Sequence, residues 1–184
     1  MAAATRLFWE QGYEATSISD LTEAMGIRSG SLYAAFGDKA ALFREALAAY
    51  GETPYGMLVG RAFEEESTAF GAFARMLRDA AHSFPDPSHP AGCMVICAAT
   101  NVSSANAEVQ EMLRGLRNSN IEMMVERVRT AQRDGELPES ADPAALARFY
   151  ATVFQGMSQQ ARDGASESEL SATAELALSV WPRG

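Results

Sequence analysis

The sequence predicts an all-α fold of about nine helices, and three observations support this prediction. Apolar residues recur at helical spacing along nearly the whole chain of 184 residues. No stretch shows the apolar–polar alternation of a half-buried strand. Hydrophobic residues make up 47 % of the chain, which is enough for a full buried core and argues against general disorder.

The first 50 residues are predicted to form four short helices. Ser17 and Asp20 have the spacing of a capping box, so the second helix should begin near Ser17, and Gly26 ends it. Gly37 and Asp38 then separate the third helix from the fourth. The apolar positions of these helices have the spacing of one buried helix face. They are Ala4, Leu7 and Phe8; Ile18, Leu21 and Met25; Leu32 and Phe36; and Leu42, Phe43, Ala46, Leu47 and Tyr50.

A turn over residues 51–56 is the predicted boundary between two domains, 1–50 and 51–184. Its sequence, Gly-Glu-Thr-Pro-Tyr-Gly, is typical of a chain that changes direction. A fifth helix follows over the apolar positions of 70–84. Three prolines within residues 83–92 then predict a loop, because proline does not continue a helix.

The remaining chain predicts four more helices. Residues 93–99 are apolar throughout, so we expect a helix that is buried on every side. A long helix should follow and end near Gly135. The last two helices, over 143–162 and 167–181, begin at an Asp-Pro step and at a second capping box, respectively.

Composition excludes several classes of protein and leaves DNA binding open. The formal net charge of −9 governs solubility and long-range steering rather than local contacts, so an acidic chain does not exclude a DNA-binding face. No run of about 18 apolar residues predicts a membrane span, and the first residues lack the pattern of a secretory signal. Two cysteines only four residues apart are no disulfide framework, so we expect a reducing, cytoplasmic location.

Residues 17–36 have the layout of a helix-turn-helix. This motif needs two short helices, a tight turn and a second helix with one buried and one exposed face. Ser29, Gly30 and Tyr33 lie together on the face opposite the apolar positions, and the small residues allow the helix to approach a groove wall closely. The predicted buried set is Ile18, Leu21, Met25, Leu32 and Phe36.

The polar groups around this second helix suit DNA. Arg28 can donate to guanine edges or to phosphate. Serine and tyrosine hydroxyls commonly bind phosphate. Lys39 lies in the first turn of the fourth helix, whose free N–H groups also favour an anion. We therefore expect a DNA-binding surface here.

Glycines, aromatic residues and one lysine recur at fixed spacing over residues 5–50. The pattern is Phe8-x-x-x-Gly12-Tyr13-x-Ala15-Thr16-Ser17-Ile18-x-x-Leu21, then Met25-Gly26-Ile27-x-x-Gly30-Ser31-Leu32-Tyr33-x-x-Phe36-x-x-Lys39-x-x-Leu42. It resembles the N-terminal domain of the TetR (tetracycline repressor) family. Residues 92–94 and 137–161 resemble one C-terminal subgroup of that family more weakly.

This resemblance implies a homodimeric repressor that binds a palindromic operator and releases it when a small apolar or aromatic effector enters the C-terminal domain. The family usually has a basic arm and a longer first helix before the position of Met1, and often Ser or Thr where Arg28 stands. The implied phosphate contacts are Thr16, Ser17, Tyr33 and Lys39. The implied contacts at or near bases are Arg28, Ser29, Gly30 and Ser31.

The C-terminal domain should supply an effector pocket and a dimer interface. Nine methionines and several aromatic residues form an adaptable apolar wall, although most of them should be plain core. Residues 143–162 and 167–181 have broad apolar stripes, which suit packing within the chain or a four-helix dimer interface. The candidate pocket residues are Phe70, Phe73, Met94, Cys97, Met112, Phe154 and Met157.

Cys93 and Cys97 lie on one helix face and leave two interpretations open. They are either two buried small apolar residues or the thiols of an electrophile sensor, which would need a lowered pKa and access. Two thiols are too few ligands for a metal site, and His89 should be a solvated loop residue. We find no nucleophile–base constellation, phosphate loop or paired carboxylates, and expect no enzyme, metal or cofactor.

Overall fold

The computed structural model describes residues 1–98, 100 and 102–182, and within them the all-α prediction is confirmed. Ten α-helices and one 3₁₀ turn are present in this part of the chain. In order they are α1 (Ala2–Gln11), α2 (Ile18–Met25), α3 (Ser29–Phe36), α4 (Lys39–Gly51), α5 (Leu58–Glu65), α6 (Ala69–Ser83), α7 (Met94–Cys97), a 3₁₀ turn (Ser104–Asn106), α8 (Ala107–Arg133), α9 (Pro143–Arg162) and α10 (Glu167–Ser179). None of the described helices is long and apolar enough to cross a membrane.

The ten described helices include one, α5, that is not among the expected set of about nine. Its apolar residues Leu58, Val59, Ala62 and Phe63 have helical spacing, and the first three of them are buried. Gly60 in the middle of α5 weakens its helical propensity. The buried face of α5 packs against α6.

Helix capping follows the sequence closely. The Ser17 Oγ accepts a hydrogen bond from the Asp20 N–H, and the Asp20 carboxylate accepts one from the Ser17 N–H, which completes the predicted capping box. Asp142 caps α9 ahead of a proline at its first position. Each cap satisfies N–H groups that the helix itself leaves unpaired.

Two hydrophobic cores hold the helices together. One core joins α5, α6, α9, α10 and much of α8. The other surrounds α1–α4, yet it also includes Met94 and Ala98 around α7 and Val109 and Leu113 at the start of α8. The segment after residue 50 thus completes the core of the first 50 residues, and α7 connects the two cores.

The expectation that residues 93–99 form a helix buried on every side needs correction. The helix is only four residues long, and of its residues only Met94 is buried. Val95, Ile96 and Cys97 are partly exposed, because a cavity lies on one side of α7 and a surface groove lies on the other. Ala99, the end of the predicted helix, lies outside the described residues.

Candidate DNA-binding surface and effector cavity

The helix-turn-helix has the predicted buried and exposed faces. Leu21 and Leu32 are fully buried in the core of the first domain. Ile18, Met25 and Phe36 are partly buried and pack against the same core. The two short helices are therefore held by their apolar faces, which leaves the other face of α3 free.

The free face of α3 consists of small and polar residues. Ser29, Gly30 and Ser31 are exposed at its start. Tyr33 is 49 % exposed although it is a large aromatic residue. A methyl group placed on Gly30 would contact none of the described atoms. Because Gly30 has no side chain, the helix backbone itself is exposed at this position. Such a surface can approach the floor of a groove closely.

Arg28 occupies the N-cap position of α3 and is exposed. Its backbone is extended, and its side chain makes no capping hydrogen bond within the described part of the chain. Ser29 is the first helical residue and does not replace the cap. The Ser31 N–H donates to the Arg28 carbonyl at 2.9 Å, so the N–H groups of Ser29 and Gly30 are the ones that an anion at the start of α3 would satisfy.

Lys39 is positioned by an aromatic ring. Its Nζ lies over the ring of Tyr13, 4.4 Å from the centroid, which is a cation–π distance. Tyr13 is itself fixed against Phe8 and Phe43. Partial burial lowers the pKa of Lys39, and the nearby carboxylates of Glu14 and Asp20 oppose this shift. The ammonium group is thus held at the first residue of α4.

Thr16 and Ser17, both assigned to phosphate by resemblance, have different surroundings. The side chain of Thr16 is fully buried, and its hydroxyl donates to the Gly12 carbonyl at 2.6 Å. Its hydroxyl therefore braces the turn between α1 and α2 and does not face solvent, which corrects the expectation. The side chain of Ser17 is exposed, and its Oγ accepts from Asp20, so the hydroxyl hydrogen stays available.

A partly open cavity of about 50 Å³ lies between α4, α5, α7, α8 and α9. Of the seven candidate pocket residues only Phe154 lines it. The lining residues are Tyr50, Tyr55, Gly56, Val59, Cys93, Val95, Ile96, Arg117, Asn120, Ile121, Met124, Ala151, Phe154 and Gln155. Met112 instead lines a neighbouring groove of about 500 Å³ between α4 and α8, which shares Tyr50, Gly56, Val95 and Asn120 with the cavity.

The structure places the other five candidates elsewhere. Phe73 and Met157 are buried in the core of the C-terminal helices, and Met94 is buried in the N-terminal core. Phe70 is 42 % exposed and packs edge-on against Trp181. Cys97 lines a surface groove beside the end of α1. Helical spacing alone does not distinguish a core residue from a cavity residue, because both lie on the inner face.

The polar residues of the cavity were missed, although the sequence holds one indication of them. Arg117 lies four residues before Ile121 and seven before Met124, which places a basic residue in the apolar stripe of α8. Its Nη1 donates to the Val95 carbonyl at 2.8 Å, so the side chain crosses from α8 to α7. A basic residue in the apolar stripe of α8 is thus the sequence feature that indicates a polar group at this wall.

The two thiols face different surroundings. Cys93 lines the cavity, its sulfur accepts a hydrogen bond from the Tyr50 hydroxyl at 3.4 Å, and burial raises its pKa above the ordinary value. The Sγ of Cys97 lies 3.3 Å from the Ser158 hydroxyl. The two thiols thus line different pockets, Cys93 the cavity and Cys97 the surface groove.

His89 is not a solvated loop residue. It is only 8 % exposed. The centroid of its ring lies 4.7 Å from that of the Trp9 ring, on which it stacks, and 3.9 Å from that of the Tyr55 ring. The loop folds back onto α1 because Arg6 donates to the Ser88 carbonyl. This aromatic cluster joins α1 to the wall of the cavity, since Tyr55 belongs to both.

The C-terminal helices expose a row of large apolar side chains. Phe149 of α9 is 42 % exposed, and Leu176 and Val180, in and just after α10, are 72 % and 58 % exposed. Leu176 and Val180 are four residues apart, so they lie on one face of the helix turn. A surface of this kind is typical of a protein–protein contact.

Comparison with known proteins identifies the family. The model of bacterial regulatory proteins of the tetR family matches residues 1–46, and that of the tetracyclin repressor-like C-terminal domain matches residues 71–175. The chain therefore belongs to the tetR family of bacterial transcriptional regulators, as its sequence pattern predicts.

Two curated relatives and one solved structure extend this result over the whole chain. The transcriptional repressor ComR of Escherichia coli (strain K12) is 35 % identical, with 97 % of this chain and 85 % of ComR covered. The repressor BdcR of the same organism is 29 % identical, with 96 % and 84 % covered. The regulator CifR, solved as a cysteine mutant with 26-bp operator DNA, is 40 % identical with a TM-score of 0.93, and 98 % of this chain and 94 % of that chain are covered.

Proposed function

We propose that this regulator is a repressor that binds operator DNA as a homodimer and releases it when a small effector fills the cavity. The observation that supports DNA binding best is the exposed face of α3, with Tyr33 and the small residues before it, next to the fixed ammonium of Lys39. ComR and BdcR are named as repressors, and the CifR structure contains operator DNA. A protein with this role would act in the cytoplasm.

The DNA-binding residues divide into positioning and recognition groups. Ser17, Tyr33 and Lys39 would bind phosphates, because hydroxyl and ammonium groups at helix starts suit the backbone of DNA. The recognition group at or near bases is Arg28, Ser29, Gly30 and Ser31. Our proposal leaves Thr16 out of the phosphate-binding group, because its hydroxyl is buried.

The first domain alone has little positive charge. Residues 1–50 contain four basic and six acidic side chains. Electrostatic attraction to phosphate would therefore come from a few individual basic side chains, because the net charge of residues 1–50 is negative. Two copies on one duplex would double these contacts, so affinity should depend strongly on dimerisation.

The exposed apolar row of α9 and α10 is the proposed dimer interface. In a two-fold dimer the same patch of each subunit contacts its copy, so an α9–α10 pair from each chain would form a four-helix contact. Such a dimer would place two recognition helices about 34–36 Å apart, one turn of DNA, and would favour a palindromic operator.

The short helix α7 offers a route from the cavity to the DNA-binding surface. Its cavity side presents Val95 and Ile96. Just beyond its end, the Ala98 carbonyl accepts a hydrogen bond from the Tyr13 N–H at 2.8 Å. Tyr13 in turn supports the ammonium of Lys39. A ligand that shifts α7 would thus disturb a phosphate contact.

A thiol or electrophile sensor that uses Cys93 and Cys97 is the weaker alternative. Attack on an electrophile requires the thiolate. Burial raises the pKa of Cys93 and so keeps this thiol protonated at neutral pH. Replacing both cysteines with serine should leave effector release intact. A loss of response to electrophiles alone in that variant would favour the sensor instead.

Selection from a random duplex pool tests the proposed function. The full chain should enrich a palindromic sequence, and its affinity for that sequence should fall steeply as salt rises, because released counterions drive phosphate binding. A scrambled duplex of equal length is the control. Equal affinity for the enriched and scrambled duplexes at every salt concentration would contradict the proposal.

A further inference from the structure

Among the residues that the structure describes, the cavity wall contains one cation, Arg117. No Asp or Glu of the described part of the chain lies within salt-bridge distance of it. Arg114, one turn earlier on the same helix, forms an ion pair with Glu111 at the surface. The contrast shows that α8 supplies an anion to an exposed arginine but none to the one at the cavity.

An unpaired cation in this position is costly. Arg117 is partly buried, and this burial lowers its pKa because it disfavours the charged form. The guanidinium still carries its charge at neutral pH, since its ordinary pKa is far above that range. The Val95 carbonyl accepts from one of the five N–H donors, and within the described residues the other donors have no hydrogen-bond partner. An anion that enters the cavity would satisfy them.

We propose that the cavity selects a small carboxylate, whose acid group pairs with Arg117 and whose short apolar part lies against Met124 and Phe154. A carboxylate is favoured because its two oxygens match the planar fork of a guanidinium. This inference rests on the proposed function, because it names the chemical class of the effector for the same cavity.

The other walls fit a ligand with one charged end. Val59, Ile121 and Ala151 give the cavity an apolar side. Asn120 and Gln155 are the amide side chains in the lining, and each can donate to a second oxygen of an acid group. The charge and the apolar surface are thus both present, as in a pocket that orients a small amphipathic ligand.

The neighbouring ionisable groups do not compete with such an anion. Burial raises the pKa of both Tyr50 and Cys93, so both are neutral near pH 7. A neutral hydroxyl and a neutral thiol beside Arg117 leave its positive charge uncompensated. The cavity therefore presents a net positive wall to a ligand.

Cavity size limits the ligand. A volume of about 50 Å³ admits only a few non-hydrogen atoms, since one water takes about 30 Å³ of liquid volume. The adjoining groove between α4 and α8 shares four lining residues with the cavity and provides an entrance. A carboxylate of about four carbons would therefore occupy the cavity and extend into this groove, whereas a large hydrophobic effector would need the helices to separate.

Calorimetric titration of the full chain with sodium butyrate tests the inference, and butyramide serves as a neutral probe of the same shape. Sodium chloride keeps the ionic strength equal in both titrations. Butyrate should bind about ten- to a hundred-fold more tightly than butyramide, because a charge-assisted hydrogen bond is stronger than a neutral one. No binding of butyrate, or equal binding of the two probes, would overturn the inference.

Three variants assign the preference to Arg117. Arg117→Gln should remove the difference between butyrate and butyramide, Arg117→Lys should keep it in weaker form, and Arg114→Gln should leave it unchanged. Circular dichroism checks that each variant is folded. If Arg117→Gln does not fold, a weaker butyrate preference in Arg117→Lys than in the wild type still assigns the preference to this position. A butyrate preference that survives in a folded Arg117→Gln would also overturn the inference.

Operator binding in the absence of ligand separates this inference from the proposed function. If the chain binds its selected operator but does not prefer butyrate, only the choice of a carboxylate fails. If it prefers butyrate but binds no operator, the proposed function fails and the binding site remains.

Discussion

At the scale of single residues, Lys39 shows how few charges the DNA-binding surface uses. Its ammonium lies over the Tyr13 ring and is therefore held where the chain enters α4. An aromatic support keeps the charge available, whereas a carboxylate partner in direct contact would neutralise it.

Replacing Lys39 with alanine should weaken operator binding and leave sequence preference nearly unchanged, because phosphate contacts position the protein without reading bases. In a dimer, the slope of log affinity against log salt should fall by about two, one for each lysine. Fluorescence anisotropy over a series of sodium chloride concentrations measures this slope. Arg61→Ala, far from α3, is the matched control, and an unchanged slope in Lys39→Ala would contradict the assignment.

Thr16 shows where residue-by-residue resemblance fails. The family pattern places a hydroxyl at this position, but the pattern does not say which way the hydroxyl points. In this chain the hydroxyl donates inward to the Gly12 carbonyl. Only the backbone geometry of the turn between α1 and α2 decides this direction, so no sequence motif could have given it.

Thr16→Val should lower the free energy of unfolding by about 1 kcal/mol, because it removes one buried hydrogen bond while conserving shape. The salt dependence of operator binding should not change. Urea denaturation measures the first quantity and anisotropy the second. Ser17→Ala is the comparison, since its exposed hydroxyl should affect operator binding as well as helix capping. A reduced salt slope in Thr16→Val would restore Thr16 as a phosphate contact.

At the scale of helices, the sequence determines where most elements begin, because caps act locally. The boxes at Ser17 and Ser166 and the Asp142 cap are all present. The sequence does not determine what each helix faces. α7 is apolar throughout, yet it borders a cavity, and Arg117 of α8 lies at the same cavity although it is charged. Apolar periodicity identifies the inner face of a helix, but it does not show whether that face packs against other side chains or borders a cavity.

The position of α7 depends on a close approach at Gly92. Gly92 has φ of +77°, and a methyl group there would lie 2.6 Å from the Ser158 carbonyl oxygen of α9. Next to it, the Cys93 N–H donates to the Ser158 hydroxyl at 2.9 Å. Only glycine fits this conformation and this contact, so the residue fixes the start of α7 on α9.

Gly92→Ala should lower the free energy of unfolding by roughly 1–3 kcal/mol, through backbone strain and the steric clash with α9. Gly60→Ala is the matched control. It lies within α5 with open space around it, and alanine there should stabilise the helix by about 0.5–1 kcal/mol. Urea denaturation of both variants gives the comparison. Equal stability of Gly92→Ala and the wild type would show that α7 is not fixed in this way.

At the scale of the whole molecule, two cores share α7 and α8. The predicted boundary near residue 50 separates segments of the chain, but the N-terminal core is completed by Val109 and Leu113 of α8. Helix α8 also contributes Met124 and Val128 to the other core. A long helix that belongs to both cores connects them, which is the connection that the proposed effector response would need.

Dimerisation is the property of the whole molecule on which the proposed function depends most. Leu176 of α10 is 72 % exposed. Phe149 of α9 and Val180, which directly follows α10, are also exposed. Burial of Leu176 against a second copy would stabilise the dimer, since apolar area removed from water is the main driving force of association.

Leu176→Asp should convert the dimer into monomers at micromolar concentration, because a charge would be buried in an apolar contact. Light scattering after size exclusion measures the mass, and the melting temperature confirms that the monomer is folded. Operator affinity should fall sharply, since one recognition helix then binds one half-site. Met57→Asp, which alters an exposed apolar residue away from α9 and α10, should stay dimeric. A folded Leu176→Asp variant that remains a dimer would move the interface to another surface.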